Sequence, residues 1–234
     1  MSVRGSEETV RETSGQDAEN YRAYRQQVQD SFNEWYNGNK DSWSNGAVKE
    51  TVGDFILGSA PVAEPGRRRR VLDIGCGRGR QTALLADGLD ADVVGLDLLA
   101  FWEPPAIARG SLRFHQGDFF HFDEGPVDML VDSGCLHHQR QEDWRPWVLH
   151  GAALLREGGI WALNIFLSPD GRITDKRLPD GRSNWWLPEE HVIDLFRSCG
   201  LSLVAKKVID RNFQYEGHWL QYLVLAFENK PRGG

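Results

Sequence analysis

Three groups of residues in this chain are spaced so that they could do chemistry. The run VLDIGCGRGR (71–80) sends an apolar stretch straight into a turn carrying Gly75, Gly77 and Gly79. A strand–glycine turn–helix unit leaves backbone N–H groups bare at a helix N-terminus, where a polar or negatively charged ligand can approach the main chain. A dinucleotide fingerprint G-x-G-x-x-G would need glycine at position 80, which is Arg80, and the phosphate loop G-x-x-x-x-G-K-[ST] is absent. What remains is D-x-G-x-G-x-G, led by Asp73. The second group is a series of carboxylates, Asp97, Asp118 and Asp132, each closing an apolar run. The third is the pair His137–His138, just past the last of those runs. Histidine titrates near neutrality, so either ring could take a proton, orient an acceptor, or simply start a helical turn.

The elements that must position these groups follow from the period of the apolar residues. Tyr21, Tyr24, Val28, Phe32 and Trp35 recur at helical spacing and predict an amphipathic helix over about 18–36. Residues 1–17 are polar and read as a flexible tail. Residues 36–46 read as a loop, and Val48, Val52, Phe55 and Ile56 mark a second helix that stops near Gly58 and Pro61. A Pro- and Gly-rich linker (59–66) closes this region, so 18–66 forms a helical lid and linker before a core over 67–230. Strands are expected near 70–75, 91–97, 111–115, 127–132 and 159–166, and helices near 79–87, 143–156 and 188–198. Pro104 and Pro105 leave the helix between the second and third strands short or broken. LSLVAKKVI and HWLQYLVLAF alternate as an antiparallel hairpin. The order of elements gives an α/β fold: a seven-stranded, mostly parallel, doubly wound sheet with a C-terminal hairpin and an N-terminal helical lid. Ligand belongs at the carboxyl ends of the strands. The stretch 167–186 is too long for an ordinary connection and reads as a lid insertion.

With these signals in this order, residues 70–228 resemble the class I S-adenosylmethionine-dependent methyltransferases. The resemblance implies that Gly75 and Gly77, with Asp73 ahead of them, cradle S-adenosylmethionine, and that Asp97, ending ADVVGLD, grips both ribose hydroxyls. It implies that Leu98 lies against the adenine, and that Asp118 and Phe119 meet the adenine amino group and ring. Asp132 and Ser133 would then stand beside the sulfonium. The fourth strand ends in DSGC and not in the Asn/Asp-Pro-Pro-Tyr motif of enzymes that act on planar nitrogens of bases or glutamine. DSGCLHH instead looks like the turn of small-molecule methyltransferases. A sulfonium favours the face of an aromatic ring. Tyr21, Tyr24 and Trp43 are the candidates for that contact, Tyr24 on the reacting side and Tyr21 and Trp43 on the cofactor side. Most other aromatics of the lid are expected to pack it onto the sheet.

Direct displacement asks the protein mainly to align an acceptor lone pair with the methyl carbon. A hydroxyl acceptor would want a base, for which His137 and His138 are the candidates and His218 a further one. Adjacent histidines in a turn diverge and no matching acids or cysteines stand nearby, so no metal is expected. The net charge of −7 argues against a nucleic-acid partner. The basic run Arg67–Arg70 reads as a solvated flank. No apolar stretch of membrane-spanning length occurs, so no membrane partner is expected. Cys76, Cys135 and Cys199 show no disulfide spacing, which suits a cytoplasmic enzyme with a small-molecule substrate. The sequence carries no signal for oligomeric state. Three rival readings share these residues: an enzyme that cyclises or cleaves the aminobutyryl arm of S-adenosylmethionine to release methylthioadenosine, an NAD-dependent oxidoreductase, and a non-catalytic S-adenosylmethionine-binding protein.

Overall fold

A computed structural model describes residues 4–38, 40, 47–215 and 218–230 of the protein. In chain order its elements are α1 (Arg4–Asn37), α2 (Ala47–Gly58), β1 (Arg70–Ile74), α3 (Arg80–Leu89), β2 (Asp92–Asp97), β3 (Ser111–Gln116), β4 (Val127–Ser133), α4 (Trp144–Leu154), β5 (Leu155–Leu167), β6 (Thr174–Asp175), β7 (Trp185–Leu187), α5 (Glu189–Ser198), β8 (Leu201–Tyr215) and β9 (His218–Asn229). The main sheet runs β3-β2-β1-β4-β5-β9-β8, with β1 to β5 parallel and β9 antiparallel to both β5 and β8. These are the seven strands expected.

β6 and β7 are two strands that the sequence does not announce. They form a short ribbon in the insertion, with Thr174 paired to Trp186, and β7 continues the sheet beside Phe166 and Leu167 of β5. Asp175 holds the ribbon together: its carboxylate accepts bonds from the Asn184 N–H (3.0 Å) and the Ser183 hydroxyl (3.2 Å). Two other boundaries differ. α1 begins inside the segment expected to be a flexible tail, where Glu and Arg are good helix formers. Residues 99–107 contain no helix, because Pro104 and Pro105 cannot donate to one; Trp102 instead stacks on Phe114 at 5.2 Å.

β1 and β4 are buried on both faces, so their side chains alternate between two cores. Val71, Met129 and Ala162 face α2 and α3 with Ile56 and Leu85, while Leu72, Leu130 and Trp161 face α4 and α5 with Val148 and Phe196. The Arg67–Arg70 run is not a free flank. Arg67 and Arg156 pair with the buried Asp128 (2.7 and 2.9 Å), and Arg69 donates to carbonyls of Pro61 and Leu89, clipping the strand starts together. Among the described residues no helix is long and apolar enough to cross a membrane.

The chain runs outward from β1 to β3, then returns to place β4 on the other side of β1. That reversal opens a crevice at the strands' carboxyl ends. Its floor depends on how closely α4 lies on β5. A Cβ on Gly151 would stand 2.3 Å from the Trp161 ring. Gly151→Ala should therefore destabilise the fold by about 1–3 kcal/mol, read as a lowered midpoint in denaturant unfolding. An unchanged midpoint would mean that the helix stands clear of the strand.

Candidate functional site

The turn after β1 holds its glycines at positive φ, 69° at Gly75 and 52° at Gly77. Neither position has room for a side chain: a Cβ at Gly75 would lie 2.1 Å from Cys135 Sγ, and one at Gly77 2.3 Å from the Tyr36 hydroxyl. The Gly77 N–H donates to Asp97 Oδ2 (2.8 Å) and the Leu99 N–H to Oδ1 (2.9 Å). Burial pushes the Asp97 pKa up, while these backbone donors pull it down. Asp97 lines the crevice. Asp73 also lines it, but its carboxylate is turned to α3, accepting from the Thr82 hydroxyl at 2.7 Å. It fixes the turn.

Asp118 is more heavily engaged than expected. Oδ1 accepts from the Phe120 N–H and Oδ2 from Arg25 Nη1, each at 3.0 Å, and the Tyr21 hydroxyl lies 3.0 and 2.9 Å from the two oxygens. A ligand amino group could share this carboxylate only by drawing on what Tyr21 and Arg25 already use. Burial and the Asp118 charge raise the Tyr21 pKa, which keeps its hydroxyl a donor. The Arg140 guanidinium stands 5.5 Å over the Tyr21 ring, and the ring's edge meets Phe120. That ring is thus committed to a cation of the protein itself, which is against its expected role at a sulfonium. Phe119 is buried beside Trp147 and Leu98 borders the crevice opposite; Gln29 and Gln116 reach toward the Leu98 carbonyl at 3.4 and 3.3 Å.

Asp132 does not line the crevice. It is fully buried, and its oxygens accept from the N–H groups of Gly134, Cys135 and Leu136 and from Trp147 Nε1. Every direction is used in building the turn after β4, so the residue holds that turn and leaves ligand contact to its neighbour. Burial raises its pKa to about 6, against the pull of those donors. Ser133 does line the crevice and donates to Asn164 Oδ1 at 2.7 Å.

His137 and His138 close the same wall, His137 buried and His138 partly so. His138 Nδ1 donates to the Ser183 carbonyl (2.8 Å), and the His138 carbonyl accepts from the Tyr24 hydroxyl (2.5 Å). The same hydroxyl accepts from the Ser183 N–H (3.1 Å), so Tyr24 ties α1, the histidine turn and the insertion together. Its oxygen is occupied in positioning these elements. Burial pushes the His138 pKa down to about 3, and it pushes His137 well below its usual value with help from His138 and Arg182. Both rings are neutral at physiological pH and are weak bases. Trp43 and the side chain of His218 lie outside the described residues. Among the described residues no three His, Cys, Asp or Glu side chains cluster as a metal site.

These walls enclose a crevice of about 990 Å³, roofed by α1 through Tyr24, Val28 and Phe32. Several of its residues are silent in the sequence: Asn164, Phe166, Arg182, Arg211 and Tyr222. Asn164 leaves one sign, a polar residue inside the buried run IWALNIF; the others belong to no motif.

Residues 71–159 match the methyltransferase domain family. The chain is 34% identical over 130 residues to the secondary metabolism regulator LAE1 of Cochliobolus heterostrophus, covering 53% of this chain and 41% of that protein. It thus spans well under half of that relative's length. Among solved structures, the 1,6-didemethyltoxoflavin-N1-methyltransferase of Burkholderia thailandensis, with bound 1,6-didemethyltoxoflavin and S-adenosylhomocysteine, superposes with a TM-score of 0.75. It is 26% identical, with 90% of this chain and 91% of that one covered. The N-methyltransferase NodS of Bradyrhizobium japonicum, in complex with S-adenosylhomocysteine, shares the fold at a TM-score of 0.59 and 16% identity, over 89% and 97% of the two chains.

The two histidines have a measurable consequence. Below about pH 6.5 an unfolded chain takes up protons that these two rings refuse, so each by itself lowers stability as the pH falls toward its native value. Ring-proton resonances followed by NMR from pH 8 to 5 should show His137 and His138 unprotonated throughout. A titration midpoint near 6.5 for either would mean that the wall is open to water.

Proposed function

We propose that this chain is a class I S-adenosylmethionine-dependent methyltransferase and transfers the methyl group to a small molecule held at the β4–β5 side of its crevice. The observation that carries the reading is the crevice itself. At about 990 Å³ it stands at the top of the usual range for small-ligand sites and has room for a donor and an acceptor side by side. The donor half fits the cofactor: Asp97 presents two carboxylate oxygens at the carboxyl end of β2, suited to a pair of vicinal hydroxyls. When bound, S-adenosylmethionine supplies an electrophilic methyl group, whose bond to sulfur breaks as the acceptor's lone pair attacks.

The protein's own residues then have modest tasks. Gly75 and Gly77 let Cys135 and Tyr36 close on the turn and so shape the donor site, and Asp97 fixes the donor's ribose. Ser133 and Asn164, joined by their hydrogen bond, border the point where the two halves meet. α1 covers the crevice and excludes water, which would otherwise compete for the reacting centre. Neutral, weakly basic His137 and His138 support alignment over proton abstraction as the source of rate.

Two measurements test this. Asp97→Ala should weaken S-adenosylmethionine binding by roughly 1.5–3 kcal/mol in calorimetry; unchanged affinity in the folded variant would remove Asp97 from the donor site. The protein incubated with labelled S-adenosylmethionine alone should turn over negligibly. With a metabolite extract that contains an acceptor, S-adenosylhomocysteine and a methylated product should appear in equal amounts. Methylthioadenosine released without any acceptor would instead mean attack within the donor's own aminobutyryl arm.

A further inference from the structure

The carboxylates lining the crevice are confined to one side, which they share with Arg25, Arg78 and Arg80. These carboxylates, Asp73, Asp97 and Asp118, all lie on the β1–β3 side, and each is already engaged. The side formed by the ends of β5, β8 and β9 and by the insertion is lined by cations and aromatic rings, and by no carboxylate among the described residues. This is unusual on a chain whose net charge is −7.

Two arginines set its character. Arg182 is 3% exposed and rests on the Phe32 ring of α1, with Cζ 3.9 Å from the centroid. Its nearest acid is Asp180, at 4.0 Å from Nη2, and that carboxylate already accepts from the Ser31 hydroxyl at 2.6 Å. Arg182 Nε is buried with no hydrogen-bond partner among the described residues. Arg211 lies over both Phe166 and Tyr222, at 4.6 and 4.7 Å, and among the described residues it makes no ion pair.

Stacking on a ring satisfies the face of a guanidinium. Its N–H donors lie in the plane, and a ring below does nothing for them. Asp180 is the one carboxylate that pairs with Arg182 among the described residues, at the long distance of 4.0 Å, and a buried cation so lightly paired is costly. His137 stands in the same wall, with Nδ1 buried and without a hydrogen-bond partner among the described residues. Arg182 and His137 both line the crevice, and each keeps one buried nitrogen without a hydrogen-bond partner among the described residues.

We infer that the methyl acceptor is an anionic, partly apolar molecule, whose negative group is held by Arg182 and Arg211 in this ring-lined half of the crevice. The inference rests on the reading that the opposite half holds S-adenosylmethionine, and it names the class of substrate for that site. Where the charge is conjugated with the attacking atom, the electron balance is simple. The acceptor's pair forms the new bond to the methyl carbon, the carbon–sulfur pair returns to sulfur, and no proton has to be removed. That accords with a site whose histidines are held neutral beside two arginines.

The test uses protein saturated with S-adenosylhomocysteine and a panel of flat bicyclic and monocyclic acids, each paired with its neutral carboxamide: quinoline-2-carboxylate, indole-2-carboxylate and benzoate. Calorimetry should find at least one acid bound tenfold or more tightly than its amide. Arg182→Met and Arg211→Met should each abolish that preference while S-adenosylhomocysteine affinity stays within twofold, which also certifies the fold of the buried variant. Arg211→Lys, with charge kept, should retain part of it. If no acid outbinds its amide, or if the preference survives both methionine variants, the inference is wrong and the donor reading stands. Failure of S-adenosylhomocysteine to bind the unaltered protein would remove the donor reading instead.

Discussion

A buried carboxylate on the turn after β3 holds the site's roof to its floor. Asp118 fixes its own turn through the Phe120 N–H and, with the same two oxygens, anchors Tyr21 and Arg25 of α1. The helix needs such an anchor. Its apolar stripe, Tyr24, Val28 and Phe32, faces a crevice and not a packed core, so the hydrophobic gain that normally fixes an amphipathic helix is only partly available. Polar ties make up the difference: Tyr24 to His138 and Ser183, and Gln27 and Ser31 to Asp180. These three partners lie on the histidine turn or the insertion, so the two covering segments are tied to each other as well as to the sheet. Whatever fills the crevice gives α1 the apolar contacts it otherwise lacks, which couples the roof to the ligand.

The same arrangement divides the labour of the site. The β1–β2 side provides a glycine turn and, at its edge, the Asp97 carboxylate that this turn and the Leu99 N–H hold in place. The β5–β9 side provides flat rings and cations. Between them stands a turn whose rigidity is supplied by Asp132, which is spent wholly on backbone and indole donors. A reaction that needs only two molecules in line is served by such a division, since alignment in a dry site carries most of the barrier reduction.

How far the sequence could be read depends on whether a residue's role is local. The strand order, the glycine turn and Asp97 are legible because a few adjacent positions dictate them: apolar period, positive φ and an acid at a strand's end. Asp132 misleads for the same reason, being an acid at a strand's end whose lone pairs the following turn consumes. Tyr21 misleads because its partners Asp118 and Arg140 lie about a hundred residues away, and no local pattern records a ring already covered by a cation. Arg182 and Arg211 are silent in the sequence because exposure decides what an arginine does. In the fold Arg182 is buried and Arg211 lies over two rings; read along a chain of mixed charge they look like solvated surface. The β6–β7 ribbon is missed because two- and three-residue strands fall below any periodic signal, and its hairpin is set by side-chain bonds from Asp175.

The division of the crevice into a donor half and an acceptor half is tested most directly by a crystal structure with S-adenosylhomocysteine bound. The ribose hydroxyls should lie within hydrogen-bond distance of both Asp97 oxygens. The sulfur should point past Ser133 toward open space lined by His137, Arg182 and Arg211. A nucleoside seated instead against Arg182 and Tyr222, or a sulfur sealed by α1 with no space before it, would contradict the account.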